Sequence, residues 1–157
     1  MAYRDDLLGL ASGLIHTVPA TQAALRRSVS TAYYAVFHLL IAEATSNWSI
    51  AGLRAALGRA YDHAPMKAAS NRILDTKEFP FTGEDPQVVD DLRFVARTFT
   101  QLQEDRHFAD YNLTEDLDST DALNQVKSAE RVLSVWRSVR SHQIAQIYLV
   151  SLIVKRR

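Results

Sequence analysis

The stretch Leu25-Arg26-Arg27-Ser28-Val29-Ser30-Thr31-Ala32-Tyr33-Tyr34-Ala35-Val36-Phe37-His38-Leu39-Leu40-Ile41-Ala42-Glu43-Ala44 decides the fold class. It lies within Ala20 to Ala51, a span that contains neither glycine nor proline. Leu25, Val29, Ala32, Tyr33, Val36, Phe37, Leu40, Ile41 and Ala44 recur at i, i+3, i+4 and i+7. That spacing stacks side chains on one face of an α-helix. A broad apolar stripe on a helix of roughly 25 residues follows.

Upstream, Leu7, Leu10, Leu14 and Ile15 predict a first helix from about Tyr3 to His16. Thr17-Val18-Pro19 reads as its stop, with the proline in the first turn of the helix that follows. Downstream, Ser46-Asn47-Trp48-Ser49 reads as a break, with Ser49 as N-cap of a shorter helix through about Asp62. Pro65 separates that helix from another helical piece, Met66 to Leu74. Thr76 to Pro86 holds two prolines and a glycine among charged residues and reads as a loop. Asp85 or Pro86 opens a helix that carries Val88, Val89, Leu92, Phe94, Val95, Phe99 and Leu102 and runs to about Asp110. A polar, acidic connector spans Asn112 to Thr120. Ser119 or Thr120 caps a long final helix, apolar at Leu123, Val126, Leu133, Trp136, Val139 and Ile147, with Lys155-Arg156-Arg157 at its end. No segment alternates polar and apolar residues long enough for a strand. The expectation is all-α: an antiparallel four- or five-helix bundle forming a single domain over residues 1–157.

Composition narrows the function classes. The chain of 157 residues has no cysteine, which removes disulfides, thiolate metal sites and a cysteine nucleophile. Its 18 basic and 18 acidic groups cancel, yet they are segregated along the chain. Residues 1–74 carry seven basic and four acidic groups, residues 75–121 four and thirteen, and residues 122–157 seven and one. The start, Met1-Ala2-Tyr3-Arg4-Asp5-Asp6, leads into no uninterrupted apolar run and does not read as a signal peptide. The longest apolar stretch, Ile144 to Val154, is interrupted by Gln146 and Ser151 and falls short of the ~20 residues that span a bilayer. A soluble, cytoplasmic protein without a membrane partner is expected.

Common catalytic signatures are missing from the sequence. Gly9-Leu10-Ala11-Ser12-Gly13 sets its serine one place too late for a nucleophile elbow. The acidic run Asp116 to Asp121 lacks the central glycine of a calcium loop and has Lys127 where a glutamate should close it. The five histidines are scattered, so no metal site and no cofactor are expected. Two groupings carry more chemistry. On the long helix, Arg27, Thr31, Tyr34 and His38 project within one arc beside the apolar face. A cation, a hydroxyl, a phenol and an imidazole there suit a phosphate or a base, or else sit half-buried as ordinary helix-edge residues. The second grouping is Asp105-Arg106-His107-Phe108-Ala109-Asp110-Tyr111, in which Arg106 and Asp110, and His107 and Tyr111, stand at i, i+4.

Arg26 to His38, with its Ala32-Tyr33-Tyr34-Ala35-Val36-Phe37-His38 core, resembles the signature helix of the HEPN family, the higher eukaryote and prokaryote nucleotide-binding domain. Arg106-His107-Phe108-Ala109-Asp110-Tyr111 supports the resemblance, which extends over about Tyr3 to Val139. It implies a helical bundle, usually a homodimer. Many relatives are metal-independent ribonucleases, often toxins encoded beside a small nucleotidyltransferase. Their catalytic pattern is an arginine, a polar residue, three residues and a histidine; Arg106 and His107 match its start, and Tyr111 stands at the histidine position. A phenol, which ordinarily titrates near ~10, is a poor base at neutral pH. The sequence therefore points first to a non-catalytic module that dimerises and binds nucleotide, RNA or a nucleotidyltransferase-type partner. The alternative is a metal-independent ribonuclease of toxin–antitoxin or defence type using Arg106 and His107, with an antitoxin as its protein partner. The candidate catalytic residues are Arg106, His107 and Tyr111, and the candidate nucleotide- or RNA-binding residues are Arg27, Tyr34, His38 and Asp110.

Overall fold

Thr21 starts the central helix by accepting a hydrogen bond on its hydroxyl from the Ala24 N–H at 3.1 Å. The helix, α2, runs Gln22–Ser46, as the apolar period requires. Pro19 lies in the connection ahead of it rather than in its first turn, because the cap is Thr21. The structure, a computed structural model, describes residues 2–75, 79 and 81–154. Lys155-Arg156-Arg157, and Thr76, Lys77, Glu78 and Pro80 of the expected loop, lie outside the described residues.

The described residues form seven α-helices and no strand: α1 Tyr3–Ile15, α2, α3 Arg54–Gly58, α4 His63–Leu74, α5 Pro86–Tyr111, α6 Ser119–Val139 and α7 Gln143–Ser151. No described helix is long and apolar enough to cross a membrane. Side-chain contacts fix their directions. Arg4 at the start of α1 meets Glu43 near the end of α2, so these helices are antiparallel. Arg26 near the start of α2 reaches the end of α5, and Arg131 of α6 lies over Phe94 of α5. Hence α5 runs antiparallel to both α2 and α6, which are parallel to each other. This is the expected all-helical bundle, with its pieces divided more finely than the sequence suggested.

Four local readings are corrected. Ser49 caps nothing; a 3₁₀ turn over Ala51–Leu53 precedes the five-residue α3, which ends at Gly58. Pro65 does not separate helices, since α4 begins at His63, where Asp62 is the cap, and a proline in a first turn forfeits no helical bond. Asp118, not Ser119 or Thr120, caps α6, because its carboxylate takes the N–H groups of Thr120 at 2.8 Å and Asp121 at 3.2 Å. The final helix breaks at Arg140–His142. The buried stripe Val126, Ala129, Val132, Trp136 and Val139 would continue to Gln143, but the buried residues beyond are Ile144, Ala145, Tyr148 and Leu149. A straight helix would turn that second set away from the core. The break re-aims it.

Packing on α2 decides the rest. Along it pack α1, α3, α5, α6 and α7, and α4 reaches it through His63. Ser28 to Tyr33 are buried without interruption, far wider than the one stripe expected. Beside it, Met66, Leu92, Val95, Phe99, Leu102, Trp136 and Tyr148 fill one apolar core. At the N-terminal end of α2, Leu25 and Val29 form a second cluster with Ala109 and Ala122.

Arg26 locks that end. Its Nη1 donates to the carbonyls of Ala109 at 3.0 Å and Asn112 at 2.6 Å, and its Nη2 donates to the Glu115 carbonyl. The first two are acceptors that a helix C-terminus leaves without internal partners, the third lies in the connector, and a cation there also suits the helix dipole. Gln22 completes the grip by exchanging two hydrogen bonds with the backbone of Leu117. Arg26→Ala should therefore cost about 2–3 kcal/mol of stability, the scale of hydrogen bonds to a charged group. Arg27→Ala, at an exposed neighbouring position, should stay within about 0.5 kcal/mol. Urea unfolding of both variants checks this; equal losses would contradict the Arg26 lock.

Candidate functional site

Arg27, Thr31, Tyr34 and His38 line one groove of about 420 Å³ together with Tyr3, Leu7 and Leu10. The first four come from α2 and the other three from α1, whose i, i+4, i+7 spacing presents them along the facing edge. The Tyr3 and His38 rings meet edge to face at 5.0 Å, and the His38 and Tyr34 rings lie nearly parallel at 6.3 Å. Burial, followed by the nearby His63, holds the His38 imidazole below its ordinary pKa. At neutral pH the groove therefore offers one exposed guanidinium, a hydroxyl, two phenols and an uncharged imidazole.

Tyr34 joins this groove to Arg106. The Arg106 Nη1 donates to the Tyr34 hydroxyl at 3.4 Å and stands 3.7 Å from an Asp110 carboxylate oxygen. The same oxygen of Asp110 accepts from Ser30 at 3.3 Å. The guanidinium lies 5.2 Å from the Tyr33 ring centroid and 5.7 Å from that of Tyr34, within cation–π range. Only 14% of the Arg106 side chain is exposed, and its buried Nε has no hydrogen-bond partner among the described residues. Arg106 is thus wedged between α2 and α5 rather than presented on an open surface.

The other two candidates on α5 point elsewhere. His107 and Tyr111 pair their rings at 4.8 Å and line a separate cleft with Glu104, Phe108 and Leu113. A step of one residue turns a helix by ~100°, which is why His107 cannot share the face of Arg106 and Asp110. The structure brings Arg27, Tyr34 and His38 to one groove, and Arg106 and Asp110 to its edge through Tyr34. His107 and Tyr111 it keeps apart.

Sequence reasoning missed His63 and Tyr33. The Tyr33 hydroxyl and His63 Nδ1 share a 2.6 Å hydrogen bond, and the His63 ring stacks on Phe37 at 4.3 Å. Burial first, with Arg106 second, lowers the His63 pKa; burial raises that of Tyr33, so both groups stay neutral. His63 comes from α4, and no local spacing links it to Tyr33. Its one legible signal is Asp62-His63 at a helix start. Among the described residues, no three His, Asp or Glu side chains converge as a metal ion would need.

A histidine held neutral in the fold binds its proton more readily in the unfolded chain. Stability should therefore fall as pH drops through the ordinary imidazole value of about 6.5, with His63 and His38 both contributing. Urea midpoints at about pH 7.5 and about pH 5.5 test this. His63→Gln should show a smaller loss between the two than wild type, and an unchanged loss would remove His63 as a source.

Comparison with protein-family models, with curated proteins and with solved structures finds no match for this chain.

Proposed function

We propose that this chain is a HEPN-like helical module that binds a nucleotide, or the phosphate and base of an RNA strand, in the groove between α1 and α2. The observation that carries the reading is the convergence of Arg27, Thr31, Tyr34 and His38 on that groove. Arg27 supplies the forked donor that suits a phosphate. Tyr34 and His38 supply flat faces on which a base stacks, a contact indifferent to sequence. Arg106 acts through Tyr34: its bond to the phenol holds that ring in place. A ribonuclease would need His107 beside Arg106 at one phosphate, whereas His107 pairs with Tyr111 within the chain. The module reading is therefore preferred.

Anisotropy titration of a fluorescent single-stranded RNA tests the proposal. Arg27→Ala should weaken binding about tenfold or more, equivalent to about 1.4 kcal/mol. It should also flatten the dependence of log affinity on log salt by about 0.7, the value for one lost phosphate contact on a single strand. Wild-type affinity in Arg27→Ala would remove the groove as the site. RNA cleavage that survives EDTA and is lost in both Arg106→Ala and His107→Ala would favour the ribonuclease instead.

Two copies pair in this reading, and the exposed apolar residues Ile147 and Val150 of α7 favour such an association. Sedimentation at micromolar concentration should give twice the 17.6 kDa chain mass, and a clean monomer would overturn the pairing.

A further inference from the structure

A second cleft, of about 460 Å³, opens on the far side of the Tyr3–His38 pair, where the N-terminal end of α1, the C-terminal half of α2 and the short α3 meet. Its size falls within the ~300–1,000 Å³ of small-molecule sites. The walls are the largely buried rings of Phe37 and Tyr61 and the side chain of Ile41. Gly58 of α3 lies against the same wall: a Cβ at that position would stand 3.4 Å from the Ile41 methyl group Cγ2, an ordinary contact distance. Ring and aliphatic walls of this kind suit an occupant whose body is apolar and flat.

The rim is cationic. Arg4, Arg54 and Arg59 line it, and no aspartate or glutamate does. Arg4 is engaged by Glu43 at 3.5 Å, and Glu43 is further neutralised by Arg140 at 3.2 Å. Arg54 is steadied through its Nε, which donates to the Trp48 carbonyl at 2.9 Å, and both of its terminal nitrogens remain without a hydrogen bond to a described residue. Arg59 is exposed and has no hydrogen bond or ion pair with any described residue. Two guanidiniums thus stand at the mouth of an apolar slot with no protein anion to satisfy them.

We infer that this cleft is a binding site for a small anion with a flat apolar body, of the class of aryl phosphates, whose ring enters between Phe37, Ile41 and Tyr61 and whose phosphate is held by Arg54 and Arg59. Charge complementarity selects the anion, and the flat walls select the ring. The inference does not rest on nucleotide binding in the neighbouring groove, from which the Tyr3–His38 pair divides it.

Fluorescence titration with naphthyl phosphate, run beside adenosine monophosphate, tests it on the full chain. Saturable binding of one naphthyl phosphate per chain is expected. Arg59→Ala should weaken it about tenfold or more, the scale of a lost charge-assisted contact. Ala55→Trp, at an exposed position on the cleft wall, should block binding by filling the slot. Arg27→Ala should leave it unchanged. Melting temperatures certify folding, and if Ala55→Trp fails to fold, Arg59→Ala and Arg54→Gln carry the test. Binding of adenosine monophosphate that is lost with Arg59→Ala identifies a nucleotide as the natural source of the anion; binding of naphthyl phosphate alone identifies a non-nucleotide acid. Absence of saturable naphthyl phosphate binding, or wild-type affinity in Arg59→Ala, overturns the inference. Binding abolished by Arg27→Ala and spared by Arg59→Ala assigns the ligand to the neighbouring groove, overturning this inference and leaving the nucleotide reading intact.

Discussion

Between Leu25 and Leu40 the central helix α2 turns few side chains to solvent, so the polar groups it buries must find their partners inside the protein. Ser28 returns its hydroxyl to the Leu25 carbonyl at 2.7 Å, and Ser30 donates to Asp110. Near the far end, Glu43 is only 7% exposed and draws in Arg4 from α1 and Arg140 from the end of α6. At the near end, Arg26 draws in the C-terminus of α5 and the connector to α6. Burying a charge is expensive unless it is paired and hydrogen-bonded, so these contacts fix which helix ends can meet. The antiparallel order of α1, α5 and the parallel order of α6 follow from where α2 carries its charges.

That same burial accounts for the character of the candidate site. Arg106 enters from α5 into a wall of rings on α2 and α4, where Tyr33, Tyr34, Phe37 and His63 are already in contact. A guanidinium stacked on two rings and tied to a phenol and a carboxylate is well positioned as a support. It is poorly placed to follow charge that develops on a reacting phosphate in open solvent. Arg27 sits one residue from Arg26 on the same helix, yet it faces the groove instead of the α5 terminus. Adjacent arginines thus divide between holding the fold and offering a free cation.

The period of α2, the opening of α5 at Asp85-Pro86 and the clustering of Arg27, Thr31, Tyr34 and His38 were legible because each depends on neighbours within a few turns. The second set was not. Asp118 outcompetes Ser119 as a cap because a carboxylate reaches two N–H groups, a preference that spacing alone does not rank. The break before α7 was visible only as a phase slip from Val139 to Ile144, which an averaged apolar count hides. The pairing of Tyr33 with His63 and the grip of Arg26 on Asn112 join residues 30 and 86 positions apart. Local periodicity carries no information about such pairs. Arg106 and His107 illustrate the opposite error: adjacency in the chain suggested one site, and the helical turn separates them.

Both clefts on the α1 side lie along a helix that buries few of its own side chains completely. Ala11 is the one residue of α1 that is fully buried, with Leu8 and Ile15 packed in part, whereas α2 is buried on most of its surface. Its outer ring, Tyr3, is 61% exposed and rests on His38 as the partition between the two clefts. A segment with few buried apolar contacts opens at lower free energy than the core to which it is attached. The Arg4–Glu43 ion pair ties the N-terminal end of α1 to α2, and Leu7 and Leu10 face Arg27 across the groove further along the helix. A ligand that bridges α1 and α2 there would add contacts to a helix of which only Ala11 is fully buried. Its binding free energy would add to the stability of the folded state, while Arg26 and Glu43 tie helix ends elsewhere on α2.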